Sequence, residues 1–180
     1  MELTLSEAQR QALLQLARSA VARAIGVQST LAAPPAIAVR AGAFVSLHLG
    51  RDLRGCIGYL EADTLLIDVI ERCAASAAVS DPRFPSLSAA EWPRVNIEIS
   101  VLGPLELVAH LSEIEIGRHG LVAALGVRRG VLLPQVAVEG NWTADEFIEH
   151  TCRKAGLPVD AWQKGATLHK FAADVFSERS

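Results

Sequence analysis

Cysteine is scarce in this chain of 180 residues, and its three cysteines lie far apart at Cys56, Cys73 and Cys152. They lack the C-x-x-C spacing of zinc and redox sites, and an odd number cannot pair completely into disulfides. A disulfide framework is therefore excluded, and nothing supports a structural zinc site or an iron–sulfur cluster. Because free thiols are typical of reducing compartments, we expect a cytoplasmic protein.

Long apolar runs are also missing, although 51% of the residues are hydrophobic. No run approaches the roughly 20 residues that a membrane-spanning helix needs. The first seven residues are acidic rather than basic and no apolar segment follows them, so no signal peptide is expected. We therefore expect no membrane association.

The chain has no excess of either charge, with 17 Lys and Arg against 20 Asp and Glu. A net charge of −3 gives no global basic footprint, so nucleic acid is not favoured as a partner. High apolar content and low net charge exclude a disordered chain. The length fits one domain, which we predict to span residues 1–180.

Several well-known catalytic and cofactor motifs are absent. The chain has no P-loop, no glycine-rich dinucleotide fingerprint, no H-E-x-x-H metal helix and no G-x-S-x-G nucleophile turn. We accordingly predict neither a metal ion nor a cofactor.

Hydrophobic periodicity predicts helices and strands in an order typical of an α+β fold. The predicted helices span about 6–25, 63–79 and 143–155, with Ser6, Asp63 or Thr64, and Thr143 as caps. The predicted strands cover 43–49, 53–60, 95–101, 105–108, 121–127, 131–133 and 167–175. Because hairpins alternate with single helices, we predict a mixed or antiparallel sheet with helices packed on it.

The most unusual segment is the run Leu-Arg-Gly-Cys-Ile-Gly at residues 53–58, hereafter the signature segment. Its glycines, Gly55 and Gly58, weaken a strand, so they indicate a bulge, a close backbone approach or a bound ligand. In an extended chain Arg54 and Cys56 point to the same face. A neighbouring guanidinium lowers a thiol pKa, which makes Cys56 the best candidate nucleophile.

A structural interpretation of Cys56 stays open, since free cysteine commonly serves as a small buried filler. Cys73 and Cys152 are expected to be core residues. His48 lies across the predicted hairpin from the thiol, but a shift of one residue in register would send it to the opposite face.

A second candidate is His119, which stands between glycines in Gly-Arg-His-Gly at residues 117–120. Its ordinary pKa suits proton transfer at neutral pH, and a simple turn before a strand is an equal alternative. In the segment around Asp81 and Arg83, the aspartate commonly shapes a turn and the arginine is commonly solvated or ion-paired.

Taken in order, these motifs resemble the AMMECR domain family. The resemblance runs through the signature segment, Asp-Pro-Arg-Phe-Pro at 81–85, Ile-Glu-Ile-Ser-Val-Leu at 97–102, 117–120, and 132–136 with Trp142. It covers nearly the whole chain. It implies an α+β fold with a larger and a smaller lobe and a cleft near the signature segment.

The resemblance also suggests partners and site residues. Such proteins are similar to the A component of the AmmeMemoRadiSam system, which is encoded beside a Memo-type protein and a radical SAM enzyme. We therefore expect an accessory component that binds a small molecule or one of these partners. The alternative is a thiol-dependent enzyme with Cys56 as nucleophile and His119 as proton-transfer partner. The matched binding residues are Arg54, Gly55, Gly58, Asp81, Arg83, Phe84 and Gly120.

Overall fold

The computed structural model describes residues 5–30 and 35–178, so residues 1–4 of the segment considered for a signal peptide lie outside it. The predicted α+β class is confirmed. The helices are α1 Glu7–Ala24, α2 Leu66–Val79, α3 Pro134–Glu139 and α4 Ala144–Lys154. The strands are β1 Ala43–Leu49, β2 Asp52–Tyr59, β3 Val95–Leu102, β4 Glu106–Leu107, β5 His119–Leu125, β6 Arg128–Leu132 and β7 Thr167–Ser177. Within the described residues, no helix combines the length and apolar character needed to cross a bilayer.

The chain divides into two compact units. The first contains the described residues up to Leu102 and those from Asp174 onward, and the second is Gly103–Ala173. Strand β7 begins in the second unit and ends in the first.

The first unit has β1 at the centre of an antiparallel sheet, between β2 and β3. Alternate residues of β1 and β3, such as Val45 and Ile99, are fully buried against α1 and α2. Strand β2 has a partner on one side only, which makes it an edge strand. The backbone N–H and C=O groups on the outer side of β2 are therefore available to a segment that packs beside it.

The helices of the first unit begin in different ways. Helix α1 has the predicted capping box, in which Ser6 and Gln9 exchange hydrogen bonds. The predicted caps of α2 are wrong, because Leu65 precedes the helix and gives no side-chain bond. Leu65 is held instead by a backbone bridge to Arg40, so a tertiary contact fixes where α2 begins.

The second unit has β5 between β6 and β7, all antiparallel, with β4 added to β7. Helix α4 packs on β5 and β6 and begins at the predicted Thr143 box. The predicted strands 121–127 and 131–133 would put the hairpin turn at 128–130, and this is wrong, since the chain turns at Gly126, which has a φ of 60°, and β6 begins at Arg128. Gly130 lies inside β6, where a Cβ would stand 2.2 Å from the backbone nitrogen of Ala155. Helix α3 was not predicted.

Candidate functional site

The signature segment forms most of edge strand β2, and Cys56 lies opposite Ser46 of β1 in the register. The Oγ of Ser46 donates to the Sγ of Cys56 at 3.2 Å. The thiol therefore faces along the sheet surface towards β1, while the backbone of Cys56 is available on the outer edge.

That outer edge is closed by two side chains of the loop after α2. The carboxylate of Asp81 accepts the backbone N–H of Cys56 at 2.9 Å, and Nη2 of Arg83 donates to the carbonyl of Cys56 at 3.2 Å. Together they occupy the two backbone groups that a neighbouring strand would bind. We call this arrangement the Asp81–Arg83 clamp.

Strong electrostatics hold the clamp together. Asp81 is only 4% exposed, and its two oxygens accept from Nε of Arg83 at 3.0 Å and from Nη2 at 2.8 Å. The backbone N–H of Arg83 adds a bond of 3.1 Å. Hydrogen bonds from Arg83 and from the Cys56 backbone hold the pKa of Asp81 far below its ordinary value. A buried carboxylate with this many donors stays ionised.

Arg54 lies at an irregularity of the hairpin, and this corrects the predicted pairing of its guanidinium with the thiol. The register shifts beside His48, so Arg54 has no partner residue on β1. Its guanidinium is bound to Glu91 through Nε at 2.8 Å and Nη2 at 3.2 Å, and to the carbonyl of Pro85 at 2.9 Å. Arg54 fastens the loop after α2 to β2.

Glu91 was missed as a site residue. Its carboxylate binds Arg54 and also accepts from the backbone and hydroxyl of Ser88, at 2.9 and 2.8 Å. These bonds, with Arg54 the largest cause, lower the pKa of Glu91 to about 2. The spacing of Ser88 and Glu91 in the sequence is that of a capping turn, and it carries no sign of the pairing with Arg54.

The thiol of Cys56 is not activated by these surroundings. Burial is the largest influence and raises its pKa above the ordinary value for cysteine. The hydrogen bond from Ser46 and the charge of Arg83 lower it, while Asp81 and Glu98 raise it. Cys56 is therefore a protonated thiol at neutral pH, whereas a nucleophile needs a thiolate.

The glycines of the signature segment are required by close packing within the first unit. A Cβ on Gly55 would lie 2.1 Å from the carbonyl oxygen of Ala77 near the end of α2. A Cβ on Gly58 would lie 2.2 Å from the ring of Phe44, its partner in the register. Of the three explanations offered for these glycines, a close backbone approach accounts for Gly55, whereas Gly58 leaves room for the side chain of Phe44.

Phe84 gives the loop a partly exposed aromatic surface. The guanidinium carbons of Arg54 and Arg83 lie 6.0 and 5.4 Å from its ring centroid, within the range of cation–π attraction. The Arg83 side chain is 48% exposed, and Pro82 and Pro85 are exposed on either side. The signature segment and the loop at 81–85 thus form one site.

His119 and Gly120 belong to the second unit. His119 is 8% exposed, and its Nδ1 accepts the backbone N–H of Glu115 at 3.0 Å, which leaves the proton of the neutral ring on Nε2. Burial, followed by the charge of Lys170, lowers its pKa. The ring of Phe171 occupies the space that a side chain on Gly120 would need. Both residues have local structural roles.

The described residues contain no group of three or more His, Cys, Asp or Glu arranged to hold a metal ion. The acidic and thiol groups nearest the signature segment are held by protein donors instead. The site is accordingly built from hydrogen bonds and ion pairs.

Comparisons with known proteins agree with this architecture. The AMMECR1 family profile matches residues 14–176. A protein of Methanococcoides burtonii is 46% identical over 142 residues, which are 76% of this chain and 71% of that protein. Protein MJ0810 of Methanocaldococcus jannaschii is 43% identical over 146 residues, 76% of this chain and 73% of that protein.

A solved structure is similar as well. The crystal structure of the uncharacterized protein PH0010 from Pyrococcus horikoshii matches with a TM-score of 0.85 and 36% identity. The match covers 93% of this chain and 90% of that chain. The chain described here belongs to the AMMECR1 family.

Proposed function

We propose that this chain is an accessory binding component that acts with a Memo-type protein and a radical SAM enzyme. The resemblance of its motifs to the AMMECR domain, and to the A component of the AmmeMemoRadiSam system, supports these partners. The geometry of the signature segment supports recognition by a rigid surface as the mode of action.

The observation that carries the proposal is the Asp81–Arg83 clamp. Both charged groups are fixed on the backbone of Cys56 and on each other. Arg54 is fixed on Glu91 in the same way. The charged residues of the motifs are thus used to hold a loop on an edge strand, and catalysis by a thiol needs an activated sulfur with a base in reach.

The surface held in this way suits a protein partner. The guanidiniums of Arg54 and Arg83 both lie within 6.0 Å of the Phe84 ring centroid, and Arg83 keeps about half of its side chain exposed. Arginine and aromatic side chains are enriched at the centres of protein interfaces. A rigid surface also loses little conformational entropy on binding, which favours affinity.

The proposal is tested by titrating the full chain with the Memo-type protein and the radical SAM enzyme encoded by the same genome. We expect one of them to bind with micromolar affinity in calorimetry. Phe84→Ser should weaken that complex at least about tenfold, which corresponds to about 1.4 kcal/mol. Val127→Ser is the matched control, since Val127 is fully exposed in the second unit.

The outcomes separate the two hypotheses. Failure of both proteins to bind at micromolar concentration contradicts the accessory role, as does an equal loss of affinity in the control. A thiol enzyme would show a different pattern, in which Cys56→Ser leaves any complex intact and Cys56 is alkylated quickly at neutral pH.

A further inference from the structure

The outer side of β2 is closed at one residue and open at the next one that faces the same way. Cys56 directs both of its backbone groups outward, since they bind Asp81 and Arg83 rather than β1. In an antiparallel pair every second residue directs its N–H and C=O to the same side. Gly58 therefore presents its two groups outward as well. It is partly exposed, and no hydrogen bond from the described residues outside the β1–β2 pair reaches either group. We call these two groups the open edge.

Nothing in the local sequence protects the open edge. Edge strands are ordinarily blunted by proline, by lysine or by another charged side chain. Residues 57–60 read Ile-Gly-Tyr-Leu and contain none of these. Unpaired N–H and C=O groups on a strand edge recognise another extended backbone, which adds to the sheet as a further strand. The first requirement for a ligand is therefore an extended polypeptide segment.

The Asp81–Arg83 clamp sets the charge beside the open edge. The order of outward groups along β2 is the N–H of Cys56, its C=O, and then the N–H of Gly58. Asp81 binds the first and Arg83 the second, so the guanidinium is the nearer charge to Gly58. The Asp81 carboxylate is already filled by the backbone N–H, Nε and Nη2 of Arg83. A cation next to an unpaired N–H favours an anionic acceptor.

Arg83 also keeps donors in reserve. A guanidinium has five N–H donors, and Arg83 uses Nε and Nη2 on Asp81 and on the carbonyl of Cys56. Its Nη1 binds none of the described residues, and the side chain is 48% exposed. Arg54, by contrast, is bound through all three nitrogens and is only 12% exposed. Nη1 of Arg83 and the N–H of Gly58 are thus two open donors on one edge, which suit the two oxygens of a carboxylate.

Phe44 adds an apolar contact to the open edge. It is the register partner of Gly58, and its ring fills the space that a side chain on Gly58 would take. The ring remains partly exposed. A residue added opposite Gly58 would direct its side chain to the same face of the sheet, where cross-strand neighbours pack together. This contact favours an apolar residue in the added segment.

We propose that the open edge binds the C-terminal end of a partner polypeptide, in extended form and with an apolar last residue. Its carboxylate accepts from the N–H of Gly58 and from Nη1 of Arg83, its last amide N–H donates to the C=O of Gly58, and its last side chain packs on Phe44. A chain end fits better than an internal segment, because the clamp closes the edge at Cys56 and stops an added strand there. This inference goes beyond the proposed function, which concerns the exposed loop at 82–85.

The probe is the peptide acetyl-Ser-Thr-Ser-Leu with a free carboxylate, and chemical-shift mapping of the full chain is the measurement. We expect the peptide to shift the amide signal of Gly58 and to bind at least about tenfold more tightly than its C-terminal amide, which lacks the charge. A peptide that ends in glycine should bind more weakly than the leucine peptide. Arg83→Gln should abolish the advantage of the free carboxylate. Arg51→Gln, at an exposed arginine just before β2, should leave that advantage unchanged.

Hydrogen exchange in the wild-type chain gives an independent result that does not require Arg83→Gln to fold. Saturating peptide should slow exchange of the Gly58 amide, because the carboxylate covers it. Equal affinity of the free and amidated peptides overturns the proposal, as does an unchanged exchange rate at Gly58. The absence of any shift at millimolar peptide overturns it as well. None of these results depends on the Memo-type or radical SAM protein, so either proposal can fail alone.

Discussion

Replacement of Asp81 by asparagine removes the charge of the Asp81–Arg83 clamp without changing the size of the side chain. The substituted amide would keep one acceptor oxygen, and its NH₂ group would face donors. At least one of the bonds to the Cys56 N–H and to the Arg83 guanidinium, now 2.8–3.0 Å long, is lost. Hydrogen bonds to charged groups contribute about 1.5–3 kcal/mol each, and an unpaired buried donor costs a similar amount.

Because Arg83 is half exposed, its guanidinium regains water and the full penalty of a broken buried pair does not apply. We therefore expect Asp81→Asn to lower the free energy of unfolding by about 3 kcal/mol, a Tm decrease of roughly 6–12 °C for a chain of this size. Urea and thermal unfolding at neutral pH measure it. Asp52→Asn, at an exposed position of β2, should change stability by less than about 0.5 kcal/mol.

The pH dependence of this difference follows from the depressed pKa of Asp81. A carboxyl whose folded pKa is below its unfolded value of about 4 stabilises the protein fully above that value. The contribution is lost as the pH falls towards the folded pKa, so wild type and Asp81→Asn should converge in acid. Equal stability of the two at neutral pH would refute the structural importance of the clamp.

Three further predictions concern other groups. Gly55→Ala should lower the free energy of unfolding, measured in urea, by about 3 kcal/mol or more. The loss should exceed that of Gly58→Ala, because a helix carbonyl cannot move aside as an aromatic ring can. Equal losses in the two variants would contradict this explanation. The pKa of His119 is lowered by burial, so folding stability should fall as acid protonates the unfolded chain below about pH 6.5, an effect that His119→Gln removes. Glu91→Gln should destabilise at neutral pH but not at pH about 2, and a loss equal at both pH values would exclude the ion pair with Arg54.

Local patterns predicted most of the fold. The capping boxes at Ser6 and Thr143 and the alternation in β3 depend on residues close in sequence. These features can therefore be predicted from the sequence. The turn of the second hairpin was misplaced because Gly130 is required by the approach of α4, a tertiary demand without a local signature. The start of α2 depends on Arg40 for the same reason.

The residues of the candidate site were predicted individually, but their contacts were not. Strict alternation put Arg54 beside Cys56, and the register shift next to His48 takes its guanidinium to Glu91 instead. The clamp joins residues 25 and 27 positions apart in sequence, and periodicity cannot detect such contacts. Whether Cys56 and His119 act as site residues stays a prediction.

The alkylation rate of Cys56 as a function of pH tests the central claim most directly. Cys73 and Cys152 are only 5% and 0% exposed, so iodoacetamide should modify Cys56 alone in the folded chain. Since burial raises its pKa, we predict slow reaction at neutral pH, a rate that rises only above the ordinary thiol range, and still slower reaction in Ser46→Ala. Fast alkylation that is independent of pH around neutrality would show a thiolate, and it would contradict the assignment of Cys56 to a rigid binding surface.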